Sequence, residues 1–308
     1  MLDPKDIARV KGLGFLHNRG TDCFSARVLS KNGTMTVEQL QAVAQCAQLY
    51  GAGRVAFTSR LMVEIPGLHL EDVEKVQAHV AQVGLTVGGT GPKVRPITAC
   101  KGTTCIYGNA DTQGIAAQLF DTFYTGWHGV TLPHKFKISV GGCPNSCMKP
   151  SLNDFGIEAH RIPVTELDKC RGCAVCQVAA KCPMKAVSLK DGKIVMDKTL
   201  CNDCAVCVNA CPFGVIPQVD EPVFAVYVGG TWGKKSRNGT RLSRYYKQSE
   251  LEPVLEKTLL WFRDNAYQKE RLGAAIDRLG VEKLEADLAG DDLLARKEFI
   301  LAAPLKQA

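Results

Sequence analysis

Apolar and polar positions along the first ninety residues fall into alternating extended and helical patterns. Residues Phe24 to Ser30 read as a strand. Thr36 then precedes Val37, Leu40, Val43, Ala44 and Ala47, a helical period, and Gln39 stands where a capping box needs it. Gly51 and Gly53 predict the end of that helix. From Arg54 to Ile65 the odd positions Val55, Phe57, Leu61, Val63 and Ile65 are apolar, which predicts one strand with Arg60 on its opposite face. Val73, Val76, Val80 and Val83 form the buried stripe of a second helix. The order strand, helix, strand, helix predicts an α+β lobe over residues 1–89.

Farther along, the pattern predicts a helix near 112–124 and strands near 136–140 and 155–159. Residues Val223 to Gly229 form another strand, and residues 249–302 are helical with charged faces. In Lys135-Phe136-Lys137-Ile138-Ser139-Val140 the apolar residues hold the even positions and both lysines the odd ones. The lysines therefore share one strand face, about 6.5–7 Å apart. That strand runs directly towards Cys143.

Cysteine is the residue that changes this picture. A chain of 308 residues has length for two or three compact units, and 45% hydrophobic with 22% charged residues is ordinary for a globular chain. Fourteen cysteines are not ordinary. Cys201, Cys204, Cys207 and Cys211 read C-x2-C-x2-C-x3-C and are followed by Pro212, the bacterial ferredoxin run. Cys170, Cys173, Cys176 and Cys182 repeat it upstream, with C-x5-C before Cys182 and Pro183 after it. The fourth cysteine of such a run serves the other cluster. One 4Fe–4S cluster is thus assigned to Cys170, Cys173, Cys176 and Cys211, and another to Cys201, Cys204, Cys207 and Cys182. Zinc sites more usually pair two C-x2-C hooks. Residues 165–218 then form an insert, and residues 90–164 and 219–308 form one interrupted domain.

A third group holds Cys100 and Cys105 (C-x4-C) and Cys143 and Cys147 (C-x3-C); by spacing alone it fits zinc or a cluster. Its context is more specific. Thr98-Ala99-Cys100-Lys101-Gly102-Thr103-Thr104-Cys105, with Gly142-Cys143-Pro144-Asn145-Ser146-Cys147, resembles the sirohaem and 4Fe–4S signature of sulfite and nitrite reductases. The first hook is one residue shorter than the usual C-x5-C. The chain is most similar to the small anaerobic and dissimilatory-type sulfite reductases, which carry an inserted two-cluster ferredoxin.

That resemblance implies an α+β fold: one sulfite-reductase-type half, a ferredoxin-like lobe plus a sirohaem and 4Fe–4S domain, with the inserted ferredoxin domain. It implies sirohaem and three 4Fe–4S clusters, with Cys147 joining the third cluster to the sirohaem iron. It matches Arg60, Arg95, Lys135 and Lys137 to four basic residues around the substrate. Asn145, and Lys234 and Lys235 in the glycine-rich segment Gly229-Gly230-Thr231-Trp232-Gly233-Lys234-Lys235, become candidate sirohaem contacts. The implied reaction is six-electron reduction of sulfite to sulfide; the alternatives are ammonia-forming nitrite reduction and an electron-transfer subunit with no substrate site. A ferredoxin or a flavin-containing reductase subunit would donate electrons, in a homodimer or a larger assembly.

Charge adds a constraint on partners. The net charge is +7 with a pI near 8.7, which suits an anionic substrate or cofactor. The densest basic stretch, Lys234 to Lys247, is broken by neutral residues, so no nucleic-acid partner is expected. No apolar run is long enough to span a membrane, and the N-terminus has no signal-peptide pattern, so the expected location is the cytoplasm. Cys23, Cys46 and the six histidines fall in no motif.

Overall fold

The computed structural model describes residues 2–219 and 221–308. The first lobe contains α1 (Pro4–Gly12), β1 (Phe15–His17), β2 (Phe24–Val28), α2 (Val37–Tyr50), β3 (Ala56–Phe57), β4 (Val63–Leu68) and α3 (Val73–Ala81). Its sheet has the order β1-β2-β4-β3 and is antiparallel throughout. Phe24, Ala26 and Val28 alternate inward and meet Val43, Cys46, Val76 and Val80 from the helices. Thr36 and Gln39 form the reciprocal capping box: Gln39 N–H donates to Thr36 Oγ1 at 3.1 Å, and Thr36 N–H donates to Gln39 Oε1 at 3.0 Å.

The single strand expected from Arg54 to Ile65 is instead a hairpin. Thr58 N–H donates to the Met62 carbonyl at 2.8 Å, and the Thr58 hydroxyl accepts from the Met62 and Arg60 amides at 3.0 and 3.3 Å. Leu61 takes a positive φ of 61°, which reverses the chain. The alternation continues through this turn, but Phe57 is 75% exposed and lies outside the core. Arg60 consequently sits at a turn tip rather than on a strand face.

The second unit is a five-stranded sheet in the order β11-β10-β7-β6-β5. It uses β5 (Thr98–Ala99), α4 (Thr112–Leu119), β6 (Ile138–Gly141) and β7 (Phe155–His160). A π-helical turn, Phe120–Thr125, extends α4. Strands β5, β6 and β7 run parallel. The chain then leaves the sheet and forms α5 (Gln177–Lys181) and the hairpin β8 (Val187–Lys190) and β9 (Lys193–Met196), around a small core of Val178, Val187, Ile194, Val215 and Ile216. It returns as β10 (Val223–Val228), antiparallel to β7, and β11 (Thr240–Tyr246).

Helices α6 (Leu251–Asn265), α7 (Leu272–Leu279), α8 (Val281–Ala289), α9 (Asp292–Ala295) and α10 (Lys297–Ala302) close the chain. Leu255, Leu259, Trp261 and Phe262 of α6 join Phe136, Ile138, Val140, Phe155 and Ile157 in the main core. Gly156, the second residue of β7, has no side chain because a Cβ there would run into the Pro150 carbonyl. Among the described residues, no helix is long and apolar enough to cross a membrane.

The reciprocal cap on α2 leads to a direct test. Thr36→Ala is expected to lower stability by about 1 kcal/mol, read as a reduced midpoint in urea denaturation, with the fold retained. An unchanged midpoint would mean that the cap contributes nothing.

Candidate active site

Four separate segments bring cations to one cavity of about 280 Å³ at the junction of the first lobe and the five-stranded sheet. The segment before β6 supplies Lys135 and Lys137, both half-buried, while Phe136 and Ile138 point into the core. Arg95 lies alongside because Val94 bridges Phe136 and the Arg95 amide donates to the Phe136 carbonyl at 2.8 Å. The β3–β4 turn supplies Arg60, and β2 adds Arg27. Thr58, Ser59 and Met62 also line the cavity, and among the described residues no carboxylate does. Such a cavity selects anions.

The two candidate arginines are held differently. Arg60 Nη2 donates to the Pro96 carbonyl at 2.6 Å and the Ile138 carbonyl at 3.0 Å, and its Nη1 donates to Asn153 Oδ1 at 2.9 Å. Arg60 is therefore also a cross-tie from the first lobe to the sheet. Arg95 Nη1 donates to the Gly89 carbonyl. The Nε atoms of both arginines are buried without a hydrogen-bond partner. Burial lowers each guanidinium to about 10, which leaves both charged at neutral pH. Lys137 is lowered to about 8, by burial first and then by Arg60, Lys135 and Arg271, with Asp154 opposing. Lys135 is lowered by burial, Arg271 and Arg95.

The third cysteine group stands beside this cavity without lining it. Ser139 follows Lys137 on the same face of β6, and its hydroxyl donates to the Met148 carbonyl at 2.9 Å. The C-x3-C hook thus folds back over the face that carries the lysines, with Cys147 exposed. Cys100 Sγ accepts from the Gly142 and Gly102 amides at 3.2 and 3.4 Å. The Cys143 thiol is raised by burial, opposed by the Asn145 amide, with Cys100, Cys147 and Cys105 adding to the rise. All four sulfurs are therefore neighbours. Asn145 is exposed beside them, and Lys234 and Lys235 lie at the exposed tip of the loop closed by the Thr231–Arg237 bridge.

The other eight cysteines gather in two crossed sets. Cys170, Cys173, Cys176 and Cys211 line one cavity, and Cys182, Cys201, Cys204 and Cys207 line another. Burial pushes the Cys207 thiol up to about 11, and Cys204, Cys201 and Cys182 add to it. Among the described residues, no three His, Cys, Asp or Glu side chains converge on a point as a single ion requires. Four sulfurs spaced around a cavity suit a polynuclear cluster, whose corners are spread, better than one zinc ion.

A wider groove of about 680 Å³ lies between the first lobe and the π-helical turn, with Lys31, Tyr124 and His128 on its walls. Among the described residues it has no cysteine and one lysine, which separates it from the site above.

Comparison with known proteins places this geometry. The family profile of the nitrite and sulphite reductase 4Fe-4S domain matches residues 90–293, and that of the nitrite/sulfite reductase ferredoxin-like half domain matches residues 16–83. The chain belongs to the nitrite and sulphite reductase family. It is 30% identical over 274 residues to the coenzyme F420-dependent sulfite reductase of Methanocaldococcus jannaschii, covering 88% of this chain and 43% of that protein. It is 28% identical over 278 residues to a component of the anaerobic sulfite reductase of Salmonella typhimurium, covering 83% of this chain and 77% of that component. A crystal structure of dissimilatory sulfite reductase I superposes with a TM-score of 0.71 at 20% identity, over 87% of this chain and 69% of that one.

Within this member of the nitrite and sulphite reductase family, the structure adds four residues that no sequence motif marks. Arg27 projects opposite Phe24, Ala26 and Val28, so strand alternation is a usable signal for it. Asp154 is fully buried; it accepts from the Lys137 amide at 2.9 Å and from Arg271 Nη2 at 2.8 and 2.9 Å. Arg271 is 117 residues away in sequence, and no local pattern marks either partner of this pair. His134, next to Lys135, is lowered to about 4 by burial, Arg271, Lys135 and Arg95, so it is neutral near pH 7.

The lowered Lys137 amine is open to measurement. Amine-selective acylation followed by peptide mass spectrometry should show Lys137 gaining reactivity with a midpoint near pH 8, well below ordinary lysines. Lys135→Met removes a neighbouring cation and is expected to move that midpoint up. A Lys137 midpoint above about 10 would mean that its surroundings do not destabilise the charged form.

Proposed function

We propose that the chain is a sirohaem-dependent sulfite reductase, with domains at residues 1–89, at 90–164 with 219–308, and at 165–218. The observation that carries this reading is the acid-free cavity of Arg27, Arg60, Arg95, Lys135 and Lys137, set beside the Cys100, Cys105, Cys143 and Cys147 hooks on one face of β6. Family membership supports it, as do the activities for which the relatives are named.

In this reading sirohaem, when bound, supplies an iron that takes the sulfur of the anion and passes single electrons to it. Cys147 would ligate that iron, and Asn145, Lys234 and Lys235 are the further residues that would hold the sirohaem. The crossed cysteine sets of residues 165–218 would make an inserted ferredoxin domain with two more clusters. An external ferredoxin or flavin-containing reductase subunit would feed it, within a homodimer or larger assembly.

The cavity residues divide the work by their chemistry. Arg60 and Arg95 keep their charge and would attract the oxyanion, through the guanidinium donors that their contacts to Pro96, Ile138, Asn153 and Gly89 leave free. Lys137, lowered to about 8, releases a proton at modest cost near neutral pH, and Lys135 stands one strand step away. Six electrons and the matching protons convert sulfite to sulfide, and the three oxygens leave as water. Each charge-assisted hydrogen bond to the anion contributes about 1.5–3 kcal/mol.

The experiment is anaerobic purification of the full chain, with iron analysis, a visible spectrum and steady-state assays of sulfite and nitrite using an artificial one-electron donor. About twelve iron atoms in clusters plus one in sirohaem are expected, with sulfite reduced. Lys137→Met should depress the maximal rate more than the affinity, and Arg95→Ala should weaken sulfite binding by about tenfold or more. Stoichiometric zinc in place of iron, or no turnover of sulfite with sirohaem bound, would sink the proposal. Clear preference for nitrite would move the substrate and keep the site.

A further inference from the structure

The two cysteine sets of residues 165–218 lie in opposite surroundings. The loop from Cys201 to Val206 is half-buried at every position, whereas every residue from Arg171 to Val175, Cys173 included, is exposed. The buried loop is stitched to the five-stranded sheet. His160 Nδ1 lies 3.0 Å from the Asn202 carbonyl, the Arg161 amide donates to the Asp203 carbonyl at 3.0 Å, and the Tyr245 hydroxyl donates to Asp203 Oδ2 at 2.9 Å. The His160 and Tyr245 rings pack with centroids 5.2 Å apart.

From that junction a buried polar path continues to the third cysteine group. His160 and Glu158 project from the same face of β7, two residues apart, and both are buried. His160 Nε2 stands 3.2 Å from Glu158 Oε1, off the hydrogen-bond axis. Glu158 Oε2 accepts from the Ser146 hydroxyl at 2.9 Å. Ser146 lies between Cys143 and Cys147, and Asn202 directly follows Cys201. Three contacts, none longer than 3.2 Å, therefore join the two cysteine loops.

The other set turns outward. Leu167, Val175, Leu189 and Phe213 surround or flank it and are 49%, 69%, 39% and 46% exposed. Gly172 packs against the Gly192 carbonyl, which brings the β8–β9 tip, with Lys190 and Lys193, to the same rim. Among the described residues, Arg171, Lys190 and Lys193 form no ion pair, and Lys193 Nζ donates to the Cys170 carbonyl at 2.8 Å; Lys169 is paired with Glu166. These three cations outnumber the rim carboxylates Asp168 and Asp191. An apolar patch ringed by cations without ion-pair partners is complementary to an acidic protein surface.

We propose that the two sets act in a fixed order. The Cys170, Cys173, Cys176 and Cys211 set is the docking face for an acidic one-electron carrier protein. The Cys182, Cys201, Cys204 and Cys207 set passes electrons inward along Asn202, His160, Glu158 and Ser146 to the Cys100, Cys105, Cys143 and Cys147 set. Each step moves one electron: the carrier is oxidised, each cluster is reduced and then reoxidised, and no covalent bond changes. The proposal rests on the reading that every set holds a 4Fe–4S cluster.

The test uses the full, cluster-loaded chain and a purified acidic bacterial ferredoxin as the probe. Arg171→Glu with Val175→Glu should weaken ferredoxin binding by at least tenfold in calorimetry at low ionic strength, with iron content and reduction by dithionite retained. Lys190→Glu is a second exposed variant that should act in the same direction. His160→Gln and Tyr245→Phe should leave ferredoxin binding intact. In rapid-freeze electron paramagnetic resonance they should slow reduction of the third cluster by at least tenfold after the insert is reduced. Wild-type binding in both rim variants overturns the docking face, and an unslowed third cluster in both junction variants overturns the order. An insert without iron would overturn the cluster reading itself, and this proposal with it.

Discussion

One buried carboxylate holds the candidate site in place. Asp154 is wholly shielded from water, and such a charge persists only if it is matched by donors. Its side chain takes the Lys137 amide and the Arg271 guanidinium, and its carbonyl takes the Gly229 amide. The start of β6, the start of β7, the end of β10 and the cap of α7 therefore meet at one residue. Removing one partner of a buried charge pair costs about 3–5 kcal/mol, which is a large part of the stability of an ordinary domain. The same contact fixes the backbone at Lys137. The side chain that follows from that backbone points at the anion cavity, so the stability of the sheet and the geometry of the site share one cause.

What the sequence makes legible depends on the range of the interaction. Short-range rules locate α2, whose cap needs only Thr36 and Gln39, and the lysine pair, whose shared face follows from the pleat. Cysteine spacing names the crossed sets because the motif itself specifies the exchange, and the two cavities are lined by those same residues. The β3–β4 turn is hidden because period-two alternation runs through it unbroken; only the Thr58 hydroxyl, serving two amides, reveals the reversal. The Asp154–Arg271 pair spans 117 residues and has no local signature at either end. Arg27 is within reach of the alternation rule, but it lies far in sequence from every cysteine, so nothing local ties its charge to the site.

Positive charge is concentrated here by arrangement more than by composition. A net charge of +7 over 308 residues is modest, yet five cations line one small cavity with no acid among the described residues of its wall. Their mutual repulsion and burial lower the affinity of Lys137 for its proton, and the buried Asp154 behind them limits the effect. The cavity wall thus contains groups of two kinds, arginines whose charge is permanent and a lysine that titrates near physiological pH.

Arg60 has a consequence that reaches beyond the charge it brings to the cavity. Its guanidinium grips two backbone carbonyls and a side-chain amide oxygen of the sheet unit while its backbone belongs to the first lobe. The anion cavity therefore exists only while the two units are docked. By thermodynamic linkage, any anion that binds the cavity must also strengthen that docking, by RT ln(1 + [L]/Kd). The ligand is in this sense a mortar between the lobes, and its concentration sets how firmly the two units adhere.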